Sequence, residues 1–331
     1  ALGNMLKVTN PNGCVVEYRY DVLGRVLSKN VKDPLMAQTN SIQWIYGDEK
    51  GNDGMLMKII GDNHKIEYTY DSHLRLSNSS ETINGKQYTT SFEYDPANRI
   101  TKVTYPSGLC LSKVFSNTGY EKEIYDGNNL LWKANETMAN GSITEYQLGN
   151  GLITKMSYNP KTSLIDNICT FSDRVCIQNV EYSYDDWGNM LSRNQYGATK
   201  MVEEFEYDKY DRLVSAKLNG IRSLSMNYDF QGNIVEKNEK DVRVLYSTMY
   251  DKERTNAIIH AKTDDKKIKV GFSRDIKFTA FDNVVSLSQG DDVMEIEYGN
   301  DNKRMFMNSV VDGKSRLKTY IGDCELVEED G

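Results

Sequence analysis

Apolar and polar residues alternate along several short stretches of this chain. In the first clear stretch, Val16, Tyr18 and Tyr20 fall on one face, and the charged residues between them fall on the other. Successive side chains of a β-strand point to opposite sides of the sheet, so a period of two is typical of a strand with one apolar face. The same alternation returns at residues 66–70 and 180–184. The pattern therefore predicts a series of half-buried strands.

A nine-residue phrase recurs at the ends of these stretches: aromatic, polar, Tyr, Asp, two variable residues, a turn residue, a polar residue and an aliphatic residue. Six copies are well formed, and their motif residues are Tyr18, Tyr20, Asp21 and Gly24; Tyr68, Tyr70 and Asp71; Tyr94, Asp95 and Asn98; Tyr182, Tyr184, Asp185 and Gly188; Tyr207, Asp208 and Asp211; and Tyr228, Asp229 and Gly232. Degenerate copies occur at Tyr125–Asp126, Phe281–Asp282 and Tyr298–Gly299. Neighbouring copies as close as 21 to 24 residues apart indicate a repeat architecture.

The residues that follow the second Tyr predict a hairpin turn. Asp can accept a hydrogen bond from the backbone two residues on, and a four-residue connection is most often built around a type I turn. The last turn position holds Gly, Asn or Asp in five copies, residues that tolerate a positive φ, and Leu74 is an unexplained exception. We expect each strand to end near its second Tyr and the chain to reverse within about five residues. These equivalent tyrosines should be largely buried, and the role of the motif residues should be structural rather than catalytic or metal-binding.

Asn-Gly and Asp-Gly pairs predict a second, tighter turn that joins successive hairpins. They begin at positions 12, 53, 84, 126, 140, 150, 219 and 312. The two turns together predict an all-β meander of repetitive antiparallel hairpins with about fourteen to twenty strands. So long a sheet should curl or spiral. We expect one repeat domain over residues 1–331, in which residues 251–269 form an irregular polar segment.

The phrase Tyr-x-Tyr-Asp-x-x-Gly-Arg-Val, as it stands at Tyr18–Val26, resembles the YD repeat of the Rhs family. The family includes Rhs polymorphic toxins, wall-associated YD proteins, the shell subunits of Tc insecticidal toxins, and teneurins. Gly149–Leu152 is also similar to a phrase found between YD units of bacterial Rhs proteins. The resemblance implies a strip of hairpins that spirals into a hollow shell, which in the toxin members encloses a variable C-terminal toxic domain. It further implies a secreted or cell-surface protein and a chain that is a fragment of a longer one.

The chain departs from the complete toxin pattern in one respect. Toxin members often carry an Asp-Pro-x-Gly-Leu self-cleavage site after the repeats. Here Asp33-Pro34 and Asp95-Pro96 are followed by other residues, and Thr319–Glu325 is similar only to the approach to that region. Neither self-cleavage nor toxicity is therefore assigned to this chain.

Composition and charge narrow the function classes. The net charge is −8 and the pI about 5.2, which argues against a general binder of nucleic acid or of anionic membranes, since both need a basic surface. The sequence contains no run of eighteen apolar residues, so it predicts no membrane-spanning helix. Residues 1–10 also lack the basic and apolar regions of a signal peptide.

Candidate chemistry is sparse. The five cysteines have irregular spacing and an odd count, which favours free thiols, with a Cys169–Cys176 bridge as the alternative. His64, His73 and His260 lie far apart in the sequence, and we expect surface or turn positions for them. Hydrolase, nucleotide-binding and dinucleotide-binding motifs are absent from the sequence. The sequence predicts no catalytic, cofactor-binding or metal-binding residue, and therefore no enzyme.

Two hypotheses of function remain. The first is a non-catalytic shell segment that encloses or displays another domain, whose partner is the rest of its own longer chain or an enclosed C-terminal domain. The alternative is an exported surface module that uses its aromatic stripe to bind glycans or a partner protein.

Overall fold

The computed structural model describes residues 3–11, 13–33, 38–49, 52–197, 199–239, 242–245, 262–263, 274–279 and 281–329. Within these ranges every regular element is a β-strand and no residue is helical. No helix in this part of the chain is therefore long and apolar enough to cross a membrane. The all-β prediction is confirmed. Most of the predicted irregular segment 251–269 lies outside the described residues.

The strands are β1 (Lys7–Thr9), β2 (Val15–Tyr20), β3 (Val26–Asp33), β4 (Gln38–Tyr46), β5 (Leu56–Ile60), β6 (His64–Tyr70), β7 (Leu76–Ile83), β8 (Lys86–Tyr94), β9 (Ile100–Thr104), β10 (Cys110–Phe115), β11 (Glu121–Asp126), β12 (Asn129–Thr137), β13 (Ile143–Leu148), β14 (Ile153–Tyr158), β15 (Ile165–Ser172), β16 (Val175–Tyr184), β17 (Met190–Gly197), β18 (Met201–Tyr207), β19 (Leu213–Leu218), β20 (Ile221–Tyr228), β21 (Ile234–Glu239), β22 (Val242–Leu245), β23 (Lys262–Thr263), β24 (Arg274–Phe278), β25 (Val284–Gln289), β26 (Asp292–Tyr298), β27 (Arg304–Val311), β28 (Lys314–Ile321) and β29 (Cys324–Glu329). The predicted count of about fourteen to twenty strands was too low. The reason is that stretches without a well-formed motif also fold into hairpins.

The chain divides into two compact units. Unit 1 comprises Ala1–Leu109, Met249–Lys262 and Gly271–Gly331, and unit 2 comprises Cys110–Thr248 and Thr263–Val270. In unit 1, strands β1 to β9 pair antiparallel in sequence order, and so do β24 to β29. In unit 2, β10 to β22 pair in the same way. The predicted meander of antiparallel hairpins is confirmed.

The hairpins of each meander have two ends. We call the end that carries the motif turns the motif end, and the other the opposite end. The motif turns follow Tyr20, Tyr70 and Tyr94 in β2–β8, Tyr298 in β24–β29, and Tyr184, Tyr207 and Tyr228 in unit 2. In unit 1 the motif end of β24–β29 packs against the opposite end of β2–β8, through two small apolar clusters. The first contains Cys14, Val16, Val31 and Phe281, and the second contains Ile83, Met305 and Ile321. Among the described residues no hydrogen-bonded ladder joins residues 3–30 to 302–329, so the sheet is not closed.

The tight-turn prediction holds at some positions and was wrong at others. Asn84-Gly85, Asn219-Gly220 and Asp312-Gly313 each adopt a positive φ at both residues, as a two-residue hairpin turn requires. Asn140-Gly141 and Asn150-Gly151 instead complete the longer motif-type turn. In that turn the Gly141 nitrogen donates to the Met138 carbonyl and the Gly151 nitrogen to the Leu148 carbonyl. A Gly in the left-handed region fits the last position of either turn, so the dipeptide alone does not decide between them.

Two degenerate motif copies were also assigned to the wrong register. Tyr125–Asp126 ends β11 at the opposite end of its hairpin, because Asp126 pairs with Asn129 across a two-residue turn. In the Phe281–Asp282 copy the strand ends earlier, at Phe278, and Thr279 takes the place of the motif Asp. Asp282 occupies the last turn position, with φ at 60°. The Tyr298–Gly299 copy has the predicted turn.

Candidate functional site

The motif turns form the most regular array of polar contacts in the described residues. Each well-formed copy ends its strand at the second Tyr, as predicted, and the next strand begins within six residues. In the second copy the Asp71 nitrogen donates to the Arg75 carbonyl, and the Leu74 nitrogen donates to the Asp71 carbonyl. The other five copies make the same pair of backbone bonds. The predicted reversal of the chain is confirmed.

The motif aspartate closes its own turn. One carboxylate oxygen of Asp71 accepts hydrogen bonds from the backbone nitrogens of His73 and Arg75, at 2.8 and 3.0 Å. The other oxygen accepts from Arg75 Nε at 2.7 Å. These bonds, the backbone bond from Arg75 above all, lower the pKa of Asp71 from its usual 3.8 to about 2. The pKa values of the five other motif aspartates are lowered as well.

The last turn position is left-handed in every copy. Gly24 has φ at 80°, Asn98 at 63° and Asp211 at 59°, in agreement with the residue types found there. Leu74 adopts the same conformation with φ at 60°, although its Cβ makes this region unfavourable. Its side chain is 47% exposed. Leu74 is therefore a strained position in an otherwise well-suited turn.

In two copies an arginine after the turn links its hairpin to the next. Arg75 Nη1 donates to the Asp95 carbonyl at 3.0 Å, and its guanidinium lies 4.7 Å from the centre of the Tyr94 ring. Arg212 does the same with the Asp229 carbonyl at 3.0 Å and the Tyr228 ring at 4.6 Å. Each arginine thus neutralises its own turn aspartate, bonds to the next turn and stacks on the next motif tyrosine.

The motif tyrosines also use their hydroxyl groups, which sequence reasoning missed. Tyr70, Tyr94, Tyr207 and Tyr228 each donate to the carbonyl of the first residue of the preceding strand, at 2.7 to 2.9 Å. All six second tyrosines are partly buried and none is exposed, in agreement with the predicted burial. Burial raises the pKa of Tyr70, Tyr94 and Tyr228 above 10. The tyrosine is therefore a polar tie between hairpins as well as an apolar packing element.

Outside the motif turns, the structure differs from the sequence predictions at one histidine and at one pair of cysteines. His64 was expected at a surface or turn position, but it is the first residue of β6 and only 7% exposed, and its Nδ1 accepts a hydrogen bond from the Asn300 backbone nitrogen at 3.3 Å. His64 lines a cavity of about 530 Å³ in unit 1 together with Asp62 and Phe281. His73 lies in an exposed turn, as predicted, and His260 lies outside the described residues.

The cysteine prediction was also wrong in part. Free thiols were favoured throughout, but the structure records a disulfide between Cys169 of β15 and Cys176 of β16, with Cα atoms 6.6 Å apart. Their seven-residue separation spans the β15–β16 hairpin turn, which brings the two side chains together. In the part of the chain that the structure describes, no group of three or more His, Cys, Asp or Glu side chains could hold a metal ion.

The tips of three successive motif turns of unit 2 carry exposed aromatic residues. Trp187 is 83% exposed, Tyr210 65% and Phe230 95%. Their turns are bonded to one another, because Asn189 Nδ2 donates to Asp211 Oδ1 at 2.9 Å and Arg212 bonds to the third turn. These rings are not part of the predicted aromatic stripe, whose tyrosines lie within the strands and not at the turn tips.

Comparison with known proteins gives a family match and a fold match. Residues 70–109 match the family model described as RHS Repeat. That range includes the second and third motif turns. No curated protein matches the chain.

Several solved structures share the fold at low sequence identity. A Tc holotoxin pore of Photorhabdus luminescens that carries a TccC3 mutation is similar over 98% of this chain and 20% of its own, with 15% identity and a TM-score of 0.75. Two TcdB2-TccC3 structures, named with TEV and with Cdc42, each give 15% identity, the same coverages and a TM-score of 0.77. The chain therefore spans about a fifth of the length of the chains it resembles. Residues 70–109 therefore match an RHS repeat, the same turn geometry recurs in all six motif copies, and the chain shares its fold with these Tc toxin structures.

Proposed function

We propose that the chain is a non-catalytic wall segment of a YD-repeat shell that encloses or displays another domain. One observation carries this proposal: the polar side chains of the motif are used to bond one hairpin to the next. Arg75 bonds to the Asp71 carboxylate within its own turn and to the Asp95 carbonyl in the next turn. The Tyr94 hydroxyl donates back to the Leu76 carbonyl. Motif residues engaged in this way support a continuous wall. We propose a structural role for all of them.

The packing within unit 1 supports the same function. The motif end of β24–β29 lies against the opposite end of β2–β8, with Phe281 and Met305 in the contact. One row of hairpins can therefore sit on another, as the layers of a shell wall must. The resemblance to Rhs proteins adds that such a wall encloses a C-terminal domain, and that the protein acts outside the cell or on its surface in toxin delivery or contact-dependent competition.

The alternative, a module that binds glycans through the aromatic stripe, has less support. The stripe consists of the motif tyrosines, which are partly buried and whose hydroxyls bond to carbonyl oxygens, as Tyr70 does to Leu56. A ring that packs between hairpins offers little face for stacking on a sugar.

Limited proteolysis of the full-length protein tests the enclosure. We expect the polypeptide that follows the repeats to resist protease while the strip is intact. The double variant Arg75→Lys, Arg212→Lys should make it cleavable, because each lysine loses the planar fork that spans two turns. The control variant Arg19→Lys, on the exposed face of β2, should leave protection unchanged. The proposal would be overturned if the polypeptide after the repeats were cleaved equally in the presence and absence of the repeat strip. A proteolytic product that ends near residue 331 would overturn it as well.

A further inference from the structure

The exposed aromatic residues of unit 2 form a continuous row. Trp187, Tyr210 and Phe230 lie at the tips of the turns after β16, β18 and β20, all at the motif end. Hairpins recur every two strands, so neighbouring tips are roughly 10 Å apart. Exposed apolar side chains grouped in this way mark an interaction surface rather than ordinary scattered exposure. We call these three residues the aromatic row.

The opposite end of the same unit carries exposed aliphatic residues. Val175 is 67% exposed and Ile177 42%, at the start of β16, and Leu218 and Ile221, which flank the β19–β20 turn, are 37% and 75% exposed. We call these four residues the aliphatic row. Unit 2 thus presents large apolar side chains at both ends of its hairpins.

Unit 1 shows what two such ends do when they meet. Phe281 lies at the third position of the turn after β24, which is the position of Trp187 and Tyr210 in their turns. Its ring packs against Cys14, Val16 and Val31 at the opposite end of β2 and β3. An aromatic turn tip therefore has an aliphatic hairpin end as its contact within this protein.

We propose that the aromatic row of one molecule docks end-on against the aliphatic row of a second copy. Three aromatic side chains bury roughly 150–250 Å² each. That is more than half of the ~800 Å² that each partner buries in a stable interface of standard size. The partner is a second copy because each molecule carries both an aromatic row and an aliphatic row. These are the two kinds of surface that pack against each other within unit 1.

Charge favours the same pairing. The turns of the aromatic row carry more carboxylates than cations: Asp186 and Asp211 are exposed at the tips, against one exposed cation, Lys209, whose ammonium lies 4.9 Å from the centre of the Tyr210 ring. The aliphatic row is flanked by exposed Arg174 and Arg222 and by one exposed carboxylate, Asp173, so it carries a net positive charge. The two surfaces are therefore of opposite sign where they would meet, which supports the correct partner and disfavours the pairing of like ends.

The contact joins two different surfaces, so it is heterologous and head-to-tail. When two copies dock in this way, each still has one unoccupied row. Further copies can therefore add to the assembly unless the geometry closes a ring. The self-association should therefore rise steadily with concentration instead of stopping at a dimer.

Sedimentation of the purified chain over a range of concentrations tests the proposal. We expect a weight-average mass that rises above 37.8 kDa with concentration. The triple variant Trp187→Ser, Tyr210→Ser, Phe230→Ser should weaken association at least about tenfold, as loss of an interface anchor does. The double variant Val175→Ser, Ile221→Ser should do the same. The control Val22→Ser, Leu23→Ser alters a turn tip of unit 1 that is equally exposed, at 92% and 72%, and should associate like the wild type.

Mixing the two interface variants gives the decisive result. Each retains the row that the other lacks, so the mixture should form a one-to-one complex that grows no further. A wild type that stays at 37.8 kDa, a control that dissociates equally, or a mixture that stays monomeric would overturn the proposal. Binding of a soluble glycan to a monomeric wild type, followed through Trp187 fluorescence, would assign the row to a ligand instead. The proposal does not depend on the proposed shell function, because protease protection and self-association are separate readouts.

Discussion

Arg75 and Asp95 belong to successive hairpins, and Arg75 Nη1 donates to the Asp95 backbone carbonyl at 3.0 Å. The same guanidinium holds the carboxylate of Asp71 in its own turn. One side chain therefore fixes the shape of a turn and its spacing from the next one. This link depends on two donors in a planar fork, which lysine lacks.

The substitution Arg75→Lys should destabilise unit 1, because a single ammonium cannot reach Asp71 and Asp95 in the same geometry. We expect the melting temperature to fall by about 2–4 °C, the effect of one net hydrogen bond in a domain of this size. Thermal unfolding followed by circular dichroism measures the change. Arg19→Lys, on an exposed strand position, is the matched control. Equal melting temperatures for both variants would contradict the link.

The substitution Leu74→Gly should stabilise the protein. Leu74 holds a φ of 60°, which costs a residue with a Cβ about 1–2 kcal/mol, whereas glycine loses about 0.5–1 kcal/mol of backbone entropy. The expected net gain in the free energy of unfolding is roughly 0.5–1 kcal/mol, measured by urea denaturation. His73→Gly, one residue earlier in the same turn, should be destabilising instead. A loss of stability in Leu74→Gly would show that the side chain contributes more than its exposed position indicates.

The substitution Tyr228→Phe removes the hydroxyl that donates to the Leu213 carbonyl at 2.8 Å and keeps the ring. We expect a loss of about 1 kcal/mol in the free energy of unfolding, because a partly buried carbonyl loses its partner. Tyr210→Phe, at an exposed turn tip, should change stability little. If the two variants unfold alike, the hydroxyl tie is not a stabilising contact.

Acid should weaken the motif turns in a defined pH range. The pKa of Asp71 is about 2 in the folded chain against its usual 3.8, so its contribution to stability is fully present above pH 3.8 and is lost as the pH falls towards 2. Between these values the melting temperature of Asp71→Asn should fall less steeply than that of the wild type, because the variant has no carboxyl to protonate there. Asp186→Asn, at an exposed turn tip, should keep the wild-type slope. Parallel curves for wild type and Asp71→Asn would refute the assignment.

Sequence reasoning predicted what depends on local pattern. The alternation of apolar and polar residues before Tyr70 predicted the strand β6. Asp71 and the residues after it predicted the turn. The partners of the hydroxyl groups were missed because a backbone carbonyl, such as that of Leu56, carries no signal in the sequence. The burial of His64 was missed for a related reason, since its partner Asn300 lies 236 residues away.

The bond between His64 and Asn300 has a consequence for the order of folding. Every hairpin tie described above joins residues that are close in sequence, so each can form as soon as its own two or three strands exist. The end-on packing of β24–β29 must close a loop of 236 residues, which carries a larger entropic cost and forms late. During synthesis the opposite end of β2–β8 is therefore uncovered long after its hairpins are complete. In that interval the apolar side chains of Val16 and Ile83 are exposed to whatever else is present, and premature contacts at this site would compete with the native packing.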